Sequence, residues 1–516
     1  MAFARCEREG VAGGIGDVKK ALEGFPALVG VPGKGKGVAT MTDAPVAHDQ
    51  ETKRYSLSFT QEWFLTMDKG DDSGPFGSRY LIVFALRITG AVDLAVLQGA
   101  LDDVVARHEL LRTLVVRDAD PPYQMVYPPC QVPLEIRDLP PVTGKSRDLV
   151  VHELIREAEA GSISAREVPL MKVLLCKFDD HDSVLLLTVH HSVSDGWSVQ
   201  VILRDLGAFY TARRTGIAAV LPQMRQYREY ASWQRANAAS TAEDGAPAYW
   251  QHKLDGAREF TMPNDHGHPD SYSRPYSQHV HDIEPEVMTA TSGLATATRS
   301  TLFTVMLSAF YILAHQLTGT TDLTIRAFTA GRDELEFQNT MGLFLNCVPF
   351  RTDIADCTSF RDIVMATRET FIDAIAHELP VNVIEQTFPD FIKSREDLRT
   401  SQFIIANQQR QLGDDPTFAI AEGARWASDR MLQGSEVRDI PSGMVWNLAP
   451  QPSGELNGGV LFNLDEFDES TVAGWSAGLR RILAGAVREP DRDWRLLAGP
   501  ASRHENRVQG PEQLHF

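Results

Sequence analysis

The sequence predicts a mixed α/β protein of two similar halves. Three observations predict it. Short apolar runs of strand length alternate with longer stretches of helical period. That alternation occurs in two blocks, separated by an Ala/Ser/Asp/Gly-rich patch at 236–247. Hydrophobic residues make up 43% and charged residues 23% of the 516 positions, enough apolar chain to fill two large cores.

Residues 1–50 stand apart, rich in Gly, Ala and small polar residues, with PGKGKG at 32–37. They are expected to be a disordered extension, or one preceding a biological start at Met41. From there the first lobe is expected over 51–235, the second over 236–500, and a tail over 501–516. Residues 79–88 (RYLIVFALRI) read as a buried strand. Residues 93–112 carry Leu94, Leu97, Leu101, Val104, Val105 and Leu111 at helical spacing, with Asp93 as N-cap. Residues 171–177 and 183–190 read as strands joined by the polar FDDHD turn, and 196–213 return to helical period. The stretch 212–247 is the junction. Beyond it come a helix at 300–317, a strand at 322–328, another at VPFRT, a helix at 359–376, a strand at 458–465 and an amphipathic helix at 468–487.

A formal net charge of -19 repels phosphate backbones, so a nucleic-acid binder is not expected. The cysteines (Cys6, Cys130, Cys176, Cys347, Cys357) are scattered, with neither CxxC nor His/Cys metal spacing. They read as core residues in a reducing, cytoplasmic setting, and no metal site is expected. Neither an 18-residue apolar run nor a secretory leader is present, so membrane association is not expected.

The sharpest chemical feature is VHHSVSDGWS, residues 189–198. Two histidines end a strand, and Asp195 and Gly196 open a helix. Such a loop presents side chains to a cleft. Acyl transfer from a thioester to an amine needs the amine proton removed and a tetrahedral oxyanion stabilised, and one imidazole serves either need. Gly196 lets a backbone or a substrate approach closely. A carboxylate at Asp195 is expected to be buried and paired.

An ordered series of motifs extends this. SLSFTQEWFL (56–65) precedes RHELLRT (107–113). HHSVSDGWSVQVILRDLGAFY (190–210), YREYASWQR (227–235) and YWQHKLDGA (249–257) follow. GTTDLTIRAFTAGRDELEFQNTMGLFLNCVPFR (319–351), AHELPVNVIEQ (376–386) and REDLRTSQFIIANQQ (395–409) complete it. The series resembles the condensation domains of nonribosomal peptide synthetases over roughly 55–499, within the HHxxxDG acyltransferase superfamily.

The resemblance implies two chloramphenicol-acetyltransferase-like lobes in a V, crossed by a tunnel. Carrier proteins dock at its two mouths and send in phosphopantetheine arms. These belong to the carriers; this chain is expected to bind no cofactor of its own. It implies His191 at the tunnel centre, as base or as a positioning and stabilising group, with His190 in support. Asp195 is then structural and paired with an arginine, expected to be Arg332, with Arg107 and Arg112 as rivals that fit ordinary salt bridges as well. Gly196 borders the acceptor's path. Trp197, Ser198 and Asn346 are candidates for substrate or tunnel contact, against core packing for Trp197 and turn capping for Asn346.

The pattern departs at Trp63, where arginine is frequent, at Cys347, where threonine is usual, and at Pro380-Val381-Asn382, where Pro-Phe-Glu is usual. Adenylation motifs and a carrier-type Gly-Gly-x-Ser are missing. The expected protein is therefore a free-standing, monomeric condensation enzyme of antibiotic-type secondary metabolism. It forms an amide from a carrier-tethered acyl or aminoacyl thioester, the acceptor being carrier-bound or a free amine or alcohol. Ester formation and a non-catalytic docking module are the alternatives; epimerization and wax ester synthesis fit the motifs less well.

Overall fold

A computed structural model of the protein describes residues 53–142, 145–243, 245–269, 276–332, 334–396, 400–407, 423–426, 443–450 and 456–497. The extension 1–50 with Met41, the tail 501–516, and Cys6 lie outside the described residues.

The first half contains β1 (Lys53–Tyr55), α1 (Phe59–Thr66), β2 (Leu81–Thr89), α2 (Leu94–Arg107), β3 (Thr113–Val116), β4 (Tyr123–Val126), β5 (Leu134–Asp138), α3 (Lys145–Glu159), β6 (Met171–Asp179), β7 (Asp182–His190) and α4 (Gly196–Thr215). Strands β2, β7, β6 and β5 lie side by side, with β5–β6 parallel and the other pairs antiparallel. Alternation along β2 sends Ile82, Phe84 and Leu86 into a core shared with Leu97, Leu101 and Ile202. It sends Val83 and Ala85 to Val150, Val151 and Leu154 of α3. Burial on both faces is why this strand reads as one unbroken apolar run.

Asp93 caps α2 as expected, accepting from the N–H of Ala95 at 3.0 Å and of Val96 at 3.1 Å. The helix nevertheless stops at Arg107, and Glu109–Arg112 is a 3-10 turn. The Arg112 guanidinium donates to the carbonyls of Val105 and Ala106, closing the helix end. Arg107 and His108 are both drawn to Asp205 of α4.

The second half contains α5 (Tyr227–Glu243), α6 (Ala246–Leu254), β8 (Thr261–Pro263), β9 (Tyr276–Ile283), α7 (Pro285–Ala297), α8 (Leu302–Thr318), β10 (Asp322–Thr329), β11 (Asn346–Asp353), α9 (Phe360–Ala376), α10 (Val381–Thr387), β12 (Thr400–Asn407), β13 (Gly423–Trp426), β14 (Met444–Pro450), β15 (Leu456–Asn463) and α11 (Glu469–Arg488). Its sheet runs β11-β10-β12-β14-β15-β9. Helices α7, α8, α9 and α11 share the core on one face. Thr301 caps α8, and Gly319 at φ 74° ends it. Among the described residues no single helix is long and apolar enough to cross a membrane; α7 and α8 pass that test only as a pair, bent by 106°.

The halves do not pack as separate units, and α5 (Tyr227–Glu243) runs across the expected boundary at 235/236. β13 pairs antiparallel with β2, matching Ala424 to Ile88 and Arg425 to Arg87. Phe337, Met341, Leu343, Phe344 and Cys347 enter the first half's core beside Tyr227 and Tyr230. The physical reason for the exchange is the apolar β2, which would otherwise present an open hydrogen-bonding edge.

Candidate active site

Strand β7 ends at His190, with His191 first in the turn beyond it, and the antiparallel partner β2 fixes their height by pairing Leu81 with His190. His190 is wholly buried. Its Nδ1 accepts from the Ser192 N–H at 3.1 Å, with the Ser192 hydroxyl at 2.8 Å. Its other nitrogen, Nε2, therefore carries the proton and donates to the Gly77 carbonyl at 3.0 Å. Burial pushes this imidazole down to about 4, so it is neutral at physiological pH. His190 thus ties the loop to residue 77.

His191 points elsewhere and is half-buried. Its N–H donates to the Tyr80 carbonyl at 2.8 Å. Its Nδ1 lies 2.7 Å from the Ser194 carbonyl, which only accepts, so Nδ1 holds the proton and Nε2 is left as the basic nitrogen. The Tyr80 ring stacks on the imidazole at 4.7 Å with 13° between planes. Ring plane and tautomer are both set before any substrate arrives. Nothing in the sequence pattern singled out Tyr80, whose role depends on a pairing between distant strands.

Asp195 caps α4, accepting from the Ser198 N–H at 2.7 Å. Its partner is Arg332, whose Nη2 lies 3.1 and 3.2 Å from the two carboxylate oxygens. The Phe344 N–H adds a contact at 3.2 Å. Arg332 also donates to the carbonyls of Phe337 and Thr340, and its guanidinium lies 3.9 Å from the Phe344 ring centroid. Burial lowers its pKa while Asp195 opposes the shift. Gly331 sits at φ 58°, where a Cβ would come within 2.0 Å of the Phe344 carbonyl oxygen, so the arginine needs a glycine before it. The rivals are spoken for: Arg107 binds Asp205 at 2.8 Å, and Arg112 binds backbone carbonyls.

Ser198 is wholly buried rather than set against open space. Its hydroxyl accepts from the Gly342 N–H at 2.8 Å and Arg332 at 3.0 Å, and shares its proton between Asp195 and the Gly342 carbonyl. It knits the two halves. Trp197 donates to the Gln338 carbonyl at 2.9 Å. Gly196 is exposed, and a Cβ there would meet no atom within 4 Å, so the chain's own packing does not demand glycine. Asn346 accepts from the Val381 N–H at 2.8 Å and donates to Glu378 and the Leu379 carbonyl, both at 2.8 Å. It caps the start of α10 from the neighbouring strand. Asn346→Ala is expected to cost about 1 kcal/mol in denaturant unfolding.

The departures Trp63 and Cys347 meet around a buried cluster that motif reading missed. Arg326 on β10 is 1% exposed and lies 3.0 Å from Glu385 and 3.5 Å from Glu259. Trp63 donates to Glu385 at 3.2 Å, and Cys347 lies against Arg326. The available signal was an arginine between Ile325 and Ala327 in a strand read as buried. Burial pushes Glu259 up to about 7 against the pull of Arg326. A carboxylic acid raised in the folded state holds its proton where the unfolded chain has lost it. Stability from this group therefore falls as pH rises from about 4.5 to about 7. Glu259→Gln removes that slope, so its melting temperature relative to wild type is expected to climb across this window. A difference that stays flat with pH would contradict the assignment.

Residues 51–502 match the condensation domain family. Phosphinothricin tripeptide synthetase PhsB of Streptomyces viridochromogenes is 34% identical over 89% of this chain. The chain spans well under half the length of such curated relatives, 38% of PhsB. The crystal structure of SgcC5 from Streptomyces globisporus, in complex with (R)-(-)-1-(2-naphthyl)-1,2-ethanediol and sucrose, is 33% identical with a TM-score of 0.78, covering 85% of this chain and all of that one. The X-domain bound to OxyB from teicoplanin biosynthesis shares the fold, with a TM-score of 0.68 at 22% identity over 89% of this chain and 99% of that one. These matches, over a mixed α/β fold of two chloramphenicol-acetyltransferase-like lobes, show that the chain belongs to the condensation domain family of nonribosomal peptide synthesis.

Proposed function

We propose that this protein acts as a condensation enzyme that moves a carrier-tethered acyl or aminoacyl group from its thioester to an amine. The observation that carries the reading is the prepared His191, with Nδ1–H held by the Ser194 carbonyl and Nε2 left basic. In this reading Nε2 takes the proton of the attacking nitrogen as the new C–N bond forms. The C–S bond then breaks, and the imidazolium returns the proton to the departing phosphopantetheine thiolate. Glycine at 196, which packing within the chain does not require, leaves room for the acceptor.

One observation favours a second reading, ester formation. SgcC5, 33% identical along its whole length, was crystallised with a diol. The same Nε2 activates a hydroxyl by the same route.

The test is intact-mass measurement of transfer from an acyl-loaded carrier, with a loaded carrier, a free amine or a free alcohol as acceptor. Transfer that requires His191 supports the reading, and hydroxylamine lability of the product separates ester from amide. A folded protein that binds the loaded carrier yet leaves it loaded with every acceptor would instead indicate a docking module of the kind that recruits other enzymes.

A further inference from the structure

The buried charge on the second half's sheet takes no part in acyl transfer, yet its contacts lead to His191. Leu323, Ile325 and Ala327 of β10 point into the helix-covered core. Arg326, between them, points to the opposite face, where Phe328 and Ile404 pack with the first half. There its Nη2 lies 3.0 Å from one oxygen of Glu385, an ion-pair contact. The other oxygen accepts the indole N–H of Trp63 at 3.2 Å. Trp63 belongs to α1 of the first half, so a guanidinium on one half grips an indole on the other through a shared carboxylate. Burial raises the pKa of Glu385, and Arg326 opposes that shift only in part.

The same helix supports the active-site loop. Phe64, next to Trp63, packs edge-on against Tyr80 with ring centroids 5.9 Å apart. Tyr80 in turn lies flat against His191. The start of α1 is secured separately, by Ser58 on Tyr227 at 2.7 Å and Thr60 on the Leu345 carbonyl at 3.2 Å. Glu62 on Asn382 at 3.3 Å and Asp68 on Arg117 at 2.6 Å hold the rest of the helix, so loss of the Trp63 contact leaves α1 attached and acts locally, on the seat of the neighbouring Phe64.

We propose that Trp63 is a positioning residue for His191: anchored by Glu385 and Arg326 across the boundary between the halves, it seats Phe64, and through Phe64 and Tyr80 it sets the plane of the imidazole. The assignment rests on the acyl-transfer reading of His191. It also predicts a property of the imidazole that exists without turnover.

The experiment uses the full-length protein carrying Trp63→Phe, which deletes the N–H and keeps an aromatic ring. With an acyl-loaded carrier, kcat is expected to fall about tenfold while KM for the carrier stays within about twofold. Glu385→Gln still offers the indole an amide oxygen and is expected to lose only about twofold in kcat. In parallel, 15N-histidine spectra, with the His191 signal assigned by its loss in His191→Gln, are expected to change from one Nδ1–H tautomer in wild type to a mixed or exchange-broadened signal in Trp63→Phe. That spectrum decides the proposal even if no transfer is found with wild type. A Trp63→Phe protein with wild-type kcat and an unchanged spectrum would overturn it. So would a loss confined to KM, or to thermal stability, with the imidazole signal intact.

Discussion

Replacing His191 by Ala is expected to lower acyl transfer by about two to four orders of magnitude, the range of a positioned acid–base group. The side chain is half-buried, with Nδ1–H on the Ser194 carbonyl and a flat contact with Tyr80 among its interactions. Deleting it leaves Asp195, Arg332 and the α4 cap untouched, so the melting temperature is expected to stay close to wild type. Single-turnover intact-mass kinetics with a loaded carrier measure the loss directly. A variant that folds, binds its carrier and transfers at the wild-type rate would remove His191 from the chemistry.

Asp195→Ala is expected to fail in the opposite way, through the fold. The substitution strands Arg332 in the interior, removes the acceptor for the Ser198 and Phe344 N–H groups and uncaps α4. Breaking one side of a buried ion pair costs about 3–5 kcal/mol. Equilibrium denaturation should show a loss of that size, with a melting temperature lower by several degrees. Asp195→Asn keeps an oxygen for the helix N-terminus and should lose less. If Asp195→Ala melted like wild type yet transferred nothing, Asp195 would belong to the chemistry rather than to the scaffold.

The parts legible in the sequence were those whose cause is local. A strand running into a pair of histidines and the aspartate that caps α2 announce themselves within a few residues. The 93–112 helix failed at its end because its terminator is a long side chain folding back: Arg112 onto the carbonyls of Val105 and Ala106. The choice of Arg332 for Asp195 came from motif order, not from physics visible in one dimension. What remained hidden depends on strand register. Tyr80 meets His191 because β2 and β7 pair as they do. Arg326, Glu385 and Trp63 come from three elements that share no pattern, and only the folded chain shows that a lone strand arginine has two carboxylates waiting.

Strand β13 adds a consequence for biogenesis. During translation β2 leaves the ribosome long before the residues that seal its edge, so the growing chain carries an unclosed, sticky flank through most of its synthesis. A fragment ending after α5, at the junction near residue 243, would keep that flank permanently. It should aggregate when made alone and become soluble when the remaining segment is supplied in trans, which makes the junction a natural cut point for a split protein whose two pieces mend by strand complementation.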